Sequence, residues 1–440
     1  MKLIRFDLSR FVSKYATISA NKEKLKQVIA TPLYANAFYL MIETATSSII
    51  GFFFWIVVAR FYTDIEVGYS SAIISAITFL GYLCLFGFNL TLIRFLSEAR
   101  KPQDFINSCF TISGIASLIA ATIFVAGIDF WSPAISFIKQ NTIFYLIFVA
   151  FTMLATLSHL VDSTFIAKRR AGFVLLKHSI HSLIKLPLPI LLVLFFHSFG
   201  IVASWGIALG IALVISFFVF LPRIQLLYKP IPTLNLSPLK NMVQYSGGNY
   251  LANILSSLPT IVLPLMVVNI LGPDHNAYFF IAWTISSILY AIPGAVSRSL
   301  FAEGSHANEN FSKNITKSIK FTYLLLIPAV LVLILAGKWI LLAFGQSYSS
   351  NALKLLWFLS LSGIPIGIVS IYTTILRVLH KINEVIRIQA FEATAILVAS
   401  YLIIPSSGIN GIGYIWLGVH GLIAVYVLLS LRLRTSQYLS

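Results

Sequence analysis

The sequence predicts an all-α integral membrane protein of about twelve transmembrane helices with both termini in the cytoplasm, and three observations predict it. Fifty-eight per cent of the 440 residues are apolar and 10% are charged, more apolar surface than a soluble fold of this length can bury. The apolar residues come in continuous runs of about 20, the length of one helical crossing, and not in the short alternating segments of a barrel. Lys and Arg concentrate in every second connection: 27 fall on the side of the N-terminus, and only Arg60, Lys139, Lys338 and Lys354 fall on the other. That asymmetry is the positive-inside pattern for an even number of spans. It also explains the net charge of +17 as topology, not as a nucleic-acid surface.

Taken in order, residues 1–33 carry Lys2, Arg5, Arg10, Lys14, Lys22, Lys24 and Lys26. They lack an apolar core followed by a small-residue cleavage site, so they read as a basic segment lying on the anionic inner leaflet and not as a signal peptide. Six spans follow at 34–59, 67–92, 107–129, 142–166, 174–197 and 200–221, forming an N-terminal bundle over 34–221. Residues 222–241 hold Pro222, Pro230, Pro232 and Pro238, a density that favours an extended cytoplasmic linker. Six more spans, at 242–270, 277–300, 318–337, 352–376, 387–404 and 410–431, form a C-terminal bundle over 242–431.

The two bundles repeat. The turn Val57 to Ala72 (VVARFYTDIEVGYSSA) resembles Met266 to Phe280 (MVVNILGPDHNAYFF) at an offset of 209, which places Arg60 on Asn269 and Tyr69 on Tyr278. The next helices close as FLSEA (Phe95 to Ala99) and LFAEG (Leu300 to Gly304). Each unit has an even number of spans, so the repeat is parallel, as in carriers that rock two halves about a central site.

Several chemistries are excluded. There is no phosphate-loop motif, no H-E-x-x-H and no paired C-x-x-C, so neither a cofactor nor a metal is expected. Cys84 and Cys109, the only cysteines, fall in or beside spans and read as packing residues. What remains is ionisable and polar groups inside spans, which usually face a cavity because charge in hydrocarbon is costly. Glu43 lies about nine residues into the first span, near mid-depth at about 1.5 Å per residue, either as an ion-coupling carboxylate or bonded to a neighbouring helix. His178, His181 and Lys185 are spaced to stack on one helix face, where they can draw in a pyrophosphate or snorkel to the headgroups. Asn249 and Asn253 follow Gly247 and Gly248 in a span kinked by Pro259 and Pro264, a moving cavity wall or interhelical glue. Arg298 is a cavity cation or an interfacial anchor, and His159 and Glu392 complete the set. Asp162, close in sequence to Lys168, Arg169 and Arg170, reads as half of a surface pair.

The segments ARFYTDIEVGYSSAI (Ala59 to Ile73), FGFNLTLIRFLSEAR (Phe86 to Arg100) and ILLAFGQSYSSNALKLLWFLSLSGIP (Ile340 to Pro365), with the turn Leu271-Gly272-Pro273, resemble the polysaccharide biosynthesis or O-antigen flippase (Wzx-like) family. That family is a branch of the multidrug/oligosaccharidyl-lipid/polysaccharide exporter superfamily. The turn at Phe61-Tyr62-Thr63 departs from the Gly-Pro pair the family often has there. The resemblance implies two six-helix bundles in a MATE-like V in the inner membrane. It implies transport of an isoprenoid-pyrophosphate-linked oligosaccharide to the outer leaflet, as in lipopolysaccharide assembly, alongside a polysaccharide polymerase machinery.

In that reading the substrate meets His178, His181, Lys185, Arg298, Asn249 and Asn253, and Glu43 couples transport to H+ or Na+. A multidrug antiporter of the same superfamily would need acidic cavity residues, and the chain has 14 acids against 31 bases. A membrane glycosyltransferase or polymerase would need a sizeable outer loop, and the outer connections are short and nearly uncharged.

Overall fold

The computed structural model describes residues 32–196, 198–226, 228–234, 240–304 and 311–437. The basic segment expected over 1–33 therefore lies almost wholly outside the described residues, as do positions 227 and 235–239 of the linker. Every regular element among the described residues is helical. Ten helices are long and apolar enough to cross a membrane, and large apolar side chains such as Leu324, Leu335 and Trp339 stand more than two-thirds exposed. In water such a surface would aggregate; in a bilayer it faces its own solvent.

Helix α1 spans Pro32–Phe61. A capping box then starts α2 (Asp64–Leu83): Glu66 N–H donates to Thr63 Oγ1 at 3.3 Å, and Thr63 N–H donates to Glu66 Oε2 at 2.9 Å. The single span expected over 67–92 is broken, because Phe86 (φ 48) and Gly87 (φ 78) turn left-handed before α3 (Phe88–Phe95). Helices α4 (Pro102–Ala126) and α5 (Thr142–Ala167) come next, the second capped by Asn141 Oδ1 on the amides of Ile143 and Phe144. The span expected over 174–197 is likewise two helices, α6 (Gly172–Lys185) and α7 (Leu188–Phe196), parted at Pro187, which cannot continue the α6 ladder. Helix α8 (Ser198–Ile215) runs into a π turn over Ser216–Phe220.

The second part of the chain comprises α9 (Lys240–Ile270), α10 (Pro273–Gly304), α11 (Phe311–Phe344), α12 (Leu353–Val378) and α13 (Ile382–Gln437). Helix α13 is nominally continuous for 56 residues, but Gly408 (φ 60, ψ −155) folds it back on itself. Glu392 and His420 show this: 28 positions apart, they would be separated by about 42 Å along a straight helix, and they touch at 3.2 Å.

Helices α2 and α12 are the most enclosed. Helix α2 packs on α9 and α10 as well as α5, and α12 packs on α10, α11 and α13. The first and second parts of the chain therefore meet along α2, and their polar contacts concentrate at one end, opposite the Lys168–Arg170 turn. There Arg60 donates from Nε to Ala343 O and from Nη2 to Leu342 O, both at 2.8 Å. Asn276 Nδ2 donates to Gly68 O at 2.7 Å, and Tyr278 OH donates to Asp64 Oδ2 at 2.9 Å. Asn269 Oδ1 accepts from Ala134 N–H at 3.0 Å while its Nδ2 donates to Ser132 Oγ. Gly68 lies so close to Pro273 that a Cβ there would collide with the Pro273 carbonyl.

Candidate functional site

The densest polar cluster inside the helices lies where α1, α5 and α6 meet. Helices α5 and α6 form an antiparallel hairpin about the Lys168–Arg170 turn, so residues equidistant from the turn share a depth in the membrane. Asp162 on α5 and Lys177 on α6 are such a pair. Lys177 Nζ, fully enclosed, sits 2.7 Å from Asp162 Oδ1 and also donates to Ser158 O (3.0 Å) and Ser158 Oγ (2.7 Å). The other carboxylate oxygen, Asp162 Oδ2, faces His178 Nε2 at 3.0 Å. His178 Nδ1 in turn lies 3.6 Å from Glu43 Oε1 on α1, and Ser47 Oγ donates to that same oxygen at 3.1 Å. His159 stands one turn from Asp162 on α5, edge-on to the Tyr82 ring at 4.9 Å.

The donor and acceptor inventory fixes what this network does. Both His178 nitrogens face carboxylate oxygens, which when ionised can only accept. With Asp162 and Glu43 ionised and Lys177 and His178 protonated the charges of the network balance, and separating its members would strand an ion between the helices.

The sequence-predicted residues separate. Glu43 and His178 come together, but in an ion network that does not leave His178 free for a ligand. His181 is one turn on, its Nε2 3.3 Å from Trp205 O. Lys185 lies at the end of α6 with its Nζ 5.1 Å from the Phe54 ring centroid, and has no ion-pair partner among the described residues. The three are thus not equivalent: only Lys185 keeps its charge uncommitted. Arg298 is exposed on α10, Asn249 is half-buried on α9, and Asn253 Oδ1 accepts from Arg377 Nη2 at 3.5 Å.

The surface pair expected between Asp162 and Lys168, Arg169 or Arg170 is replaced by the Lys177 contact, because the helix carries Asp162 inward from the turn. Lys177 and Arg377 were the residues missed, and the hairpin register was the available signal for Lys177. The basic turn itself rims a cavity of about 700 Å³, lined by Lys168, Arg169 and Arg170 together with Tyr39, Phe173 and Leu176. No group of acids, His or Cys able to hold a metal occurs among the described residues.

A multi-pass helical membrane protein with charged groups enclosed between its helices is the class this geometry defines. Residues 57–353, more than half the chain, match the family described as polysaccharide biosynthesis protein, and the chain belongs to that family. A Shigella flexneri protein described as "Putative O-antigen transporter" is 23% identical over 180 residues, which is 40% of this chain and 43% of that relative, less than half its length.

The fold is that of two solved transporter types. One is a lipid II flippase, MurJ, in an inward closed conformation, with a TM-score of 0.72 at 15% identity over 89% of this chain and 87% of that one. The other is an inward-facing multidrug resistance MATE family transporter of the MOP superfamily, with a TM-score of 0.65 at 15% identity over 89% and 95%.

Proposed function

We propose that this protein moves an isoprenoid-pyrophosphate-linked oligosaccharide from the inner to the outer leaflet of the cytoplasmic membrane, as a transporter and not an enzyme. The observation that carries the reading is the uncommitted charge of Lys185 beside a network whose other cations are neutralised. An anionic head can be drawn to Lys185 and to the basic cavity at Lys168–Arg170, while the acids that a cation carrier would use are already occupied by Lys177 and His178. Family membership and the likeness to an O-antigen transporter support the same cargo class.

In this reading the chain crosses twelve times with both termini inside: the α6–α7 pair makes one crossing and the two arms of α13 make two. The halves 34–221 and 242–431 rock about the linker 222–241, with Arg298, Asn249 and Asn253 on the wall of the second half. The Glu43–His178 network binds the coupling ion, which the geometry of an imidazole between two carboxylates suits to H+. Delivered units pass to a polymerase machinery on the outer face.

The test is deletion of the gene with leaflet-specific labelling and mass spectrometry of the lipid-linked pool. A completed repeat unit trapped on the cytoplasmic face is the expected result. An unchanged pool with gained drug sensitivity would instead identify a multidrug antiporter, and a truncated unit would identify an enzyme. Lys185→Glu is expected to reduce export by more than about tenfold at a normal membrane level, since a loss of about 1.4 kcal/mol of cargo binding already corresponds to tenfold. Wild-type export by that variant would remove Lys185 from the site.

A further inference from the structure

We propose that Glu392 and His420 form a proton-binding site of their own, in the part of the chain that does not contain the Glu43 network. The two residues lie on opposite arms of α13, folded together by Gly408. Counting along the arms at about 1.5 Å per residue, Glu392 is about 15 Å from the start of the first and His420 about 17 Å from the start of the second, so the pair is far from either membrane surface. Both side chains are enclosed, His420 with 4% and Glu392 with 14% of its side chain exposed.

The hydrogen-bond chemistry counts the protons. His420 Nδ1 lies 2.8 Å from Trp416 O. A carbonyl oxygen can only accept, so Nδ1 carries hydrogen. The other nitrogen, Nε2, lies 3.2 Å from Glu392 Oε1. With Nδ1 already protonated, a neutral imidazole presents a lone pair at Nε2, and an ionised carboxylate presents another. These repel. The contact is attractive only when one proton lies between them, as imidazolium with carboxylate or as imidazole with carboxylic acid. The geometry of the pair therefore fits its proton-loaded form, with no net charge. Release to water breaks the Nε2–H or O–H bond and leaves one negative charge enclosed.

Among the described residues no other charged group touches the pair; Lys354 of α12 sits over the Tyr414 ring on α13, at 5.6 Å from its centroid. The elements packed on α13 are α12, α9 and α10. From α10, Trp283 stacks edge-on against Trp416 at 4.6 Å, with Tyr290 behind it donating to Leu359 O. On α12, Arg377 is engaged with Asn253 and Tyr372 is buried; on α9, Tyr250 OH donates to Leu83 O. Just before α13, Lys381 pairs with Glu384 of its first turn, and Arg387 lies one turn on. Among the described residues, His420 is the ion-pair partner of Glu392, and neither of the two has a further charged contact. Gln389 Oε1, one turn before Glu392 on the same face, is buried without a partner, so the surroundings are not purely apolar. Emptying the pair thus requires α13 to move relative to α9 and α12 so that water can solvate the carboxylate. Proton release is coupled to that movement, whatever the cargo.

The test uses the full chain in lipid vesicles, labelled with ¹⁵N-histidine. Near neutral pH, His420 is expected either with both nitrogens protonated or with hydrogen on Nδ1 alone together with a carboxylic-acid band that disappears in Glu392→Gln. The His420 signal is assigned by its loss in His420→Gln. On a jump from about pH 5 to about pH 9, Glu392→Gln, which can accept and donate without charge, is expected to release one proton fewer per molecule than the wild type. A neutral His420 beside an ionised Glu392 would overturn the proposal, as would an Nε2-protonated ring with Nδ1 bare. An unchanged proton count in Glu392→Gln would do the same. If His420→Gln does not fold, the proton count of Glu392→Gln decides alone.

Discussion

Two polar systems hold this protein together, and they are made of different chemistry. Where α2 meets α10, α1 meets α11 and α9 meets the connection between α4 and α5, the contacts are mostly uncharged groups or single cations on backbone groups: Arg60 to the carbonyls of Leu342 and Ala343, Asn276 to the carbonyl of Gly68, Asn269 to the amide of Ala134. Each such group can exchange its partner for water at small net cost, because a hydrogen bond contributes only about 1 kcal/mol net when both partners can be resolvated. Where α1, α5 and α6 meet, charges are locked to charges in an enclosed site, and parting them strands an ion. The first kind of contact suits surfaces that separate and re-form. The second suits a unit that stays assembled while its proton content changes.

Removing the space that the first system depends on is expected to have the largest effect. Gly68 has no room for a methyl group against the Pro273 carbonyl, and backbone cannot give way as a side chain can. Gly68→Ala should destabilise the folded protein beyond the ~1–3 kcal/mol usual for overpacked cores, read as a lowered unfolding midpoint in detergent. Gly51 faces open space, so Gly51→Ala should leave the midpoint unchanged or raise it slightly. Equal behaviour of the two variants would show that the α2–α10 approach is looser than the structure has it.

Breaking one member of the charged system comes next. Lys177→Met removes the enclosed partner of Asp162 Oδ1, leaving His178 on the other oxygen, and should cost about 3 kcal/mol, the low end for a broken buried pair. Lys177→Met combined with Asp162→Asn should recover most of that loss, since no uncompensated charge remains. A double variant as unstable as the sum of the single ones would mean that the two residues do not share an ion pair, and the contrast drawn above would fail at its stronger side.

The interface bonds should behave otherwise. Tyr278→Phe removes one donor to Asp64, and Asn269→Ala removes the bridge to Ser132 and Ala134. Each should cost about 1–2 kcal/mol, and each should raise the labelling rate of a cysteine placed at Ser71, beside Asn276, by several-fold. A loss of stability with no change in labelling would make these residues static glue.

Much of this fold was legible in the sequence because lipid imposes a coarse rule: a long apolar run must be a helix. The rule fixes where spans lie and says nothing of how they break. Pro187 was a visible stop and Gly87 a visible left-handed position, yet the left-handed Phe86 before it carries no signal of its own, since Phe has no propensity for that conformation. The repeat offset aligned Arg60 with Asn269, and both reach across to the other part: Arg60 to Leu342 and Ala343 in the last turn of α11, Asn269 to Ser132 and Ala134 in the connection after α4. Side-chain pairing was harder. Asp162 was matched with its sequence neighbours Lys168, Arg169 and Arg170, whereas a helix places it at the depth of Lys177 across the hairpin. Glu392 was noted alone for the same reason, its partner His420 lying beyond Gly408 on the returning arm. The spacing of His178, His181 and Lys185 put them on one face without revealing that different neighbours claim each one.

The smallest expected effect concerns the linker, where the contrast can be sharpened outside the membrane. Tyr228 OH donates to Asn107 Oδ1 at 2.8 Å, and Asn107 Nδ2 donates to Lys229 O at 2.9 Å, so the start of the connector is strapped to α4. Burial pushes the Tyr228 hydroxyl well above its usual range, so it stays a donor at any working pH. Tyr228→Phe leaves the ring packed and frees one acceptor, a cost of about 1 kcal/mol. If the connector is a hinge, that variant should change the transport rate more than it changes the unfolding midpoint. An equal, small drop in both would place the strap with the static contacts of α4 and not with the surfaces that part.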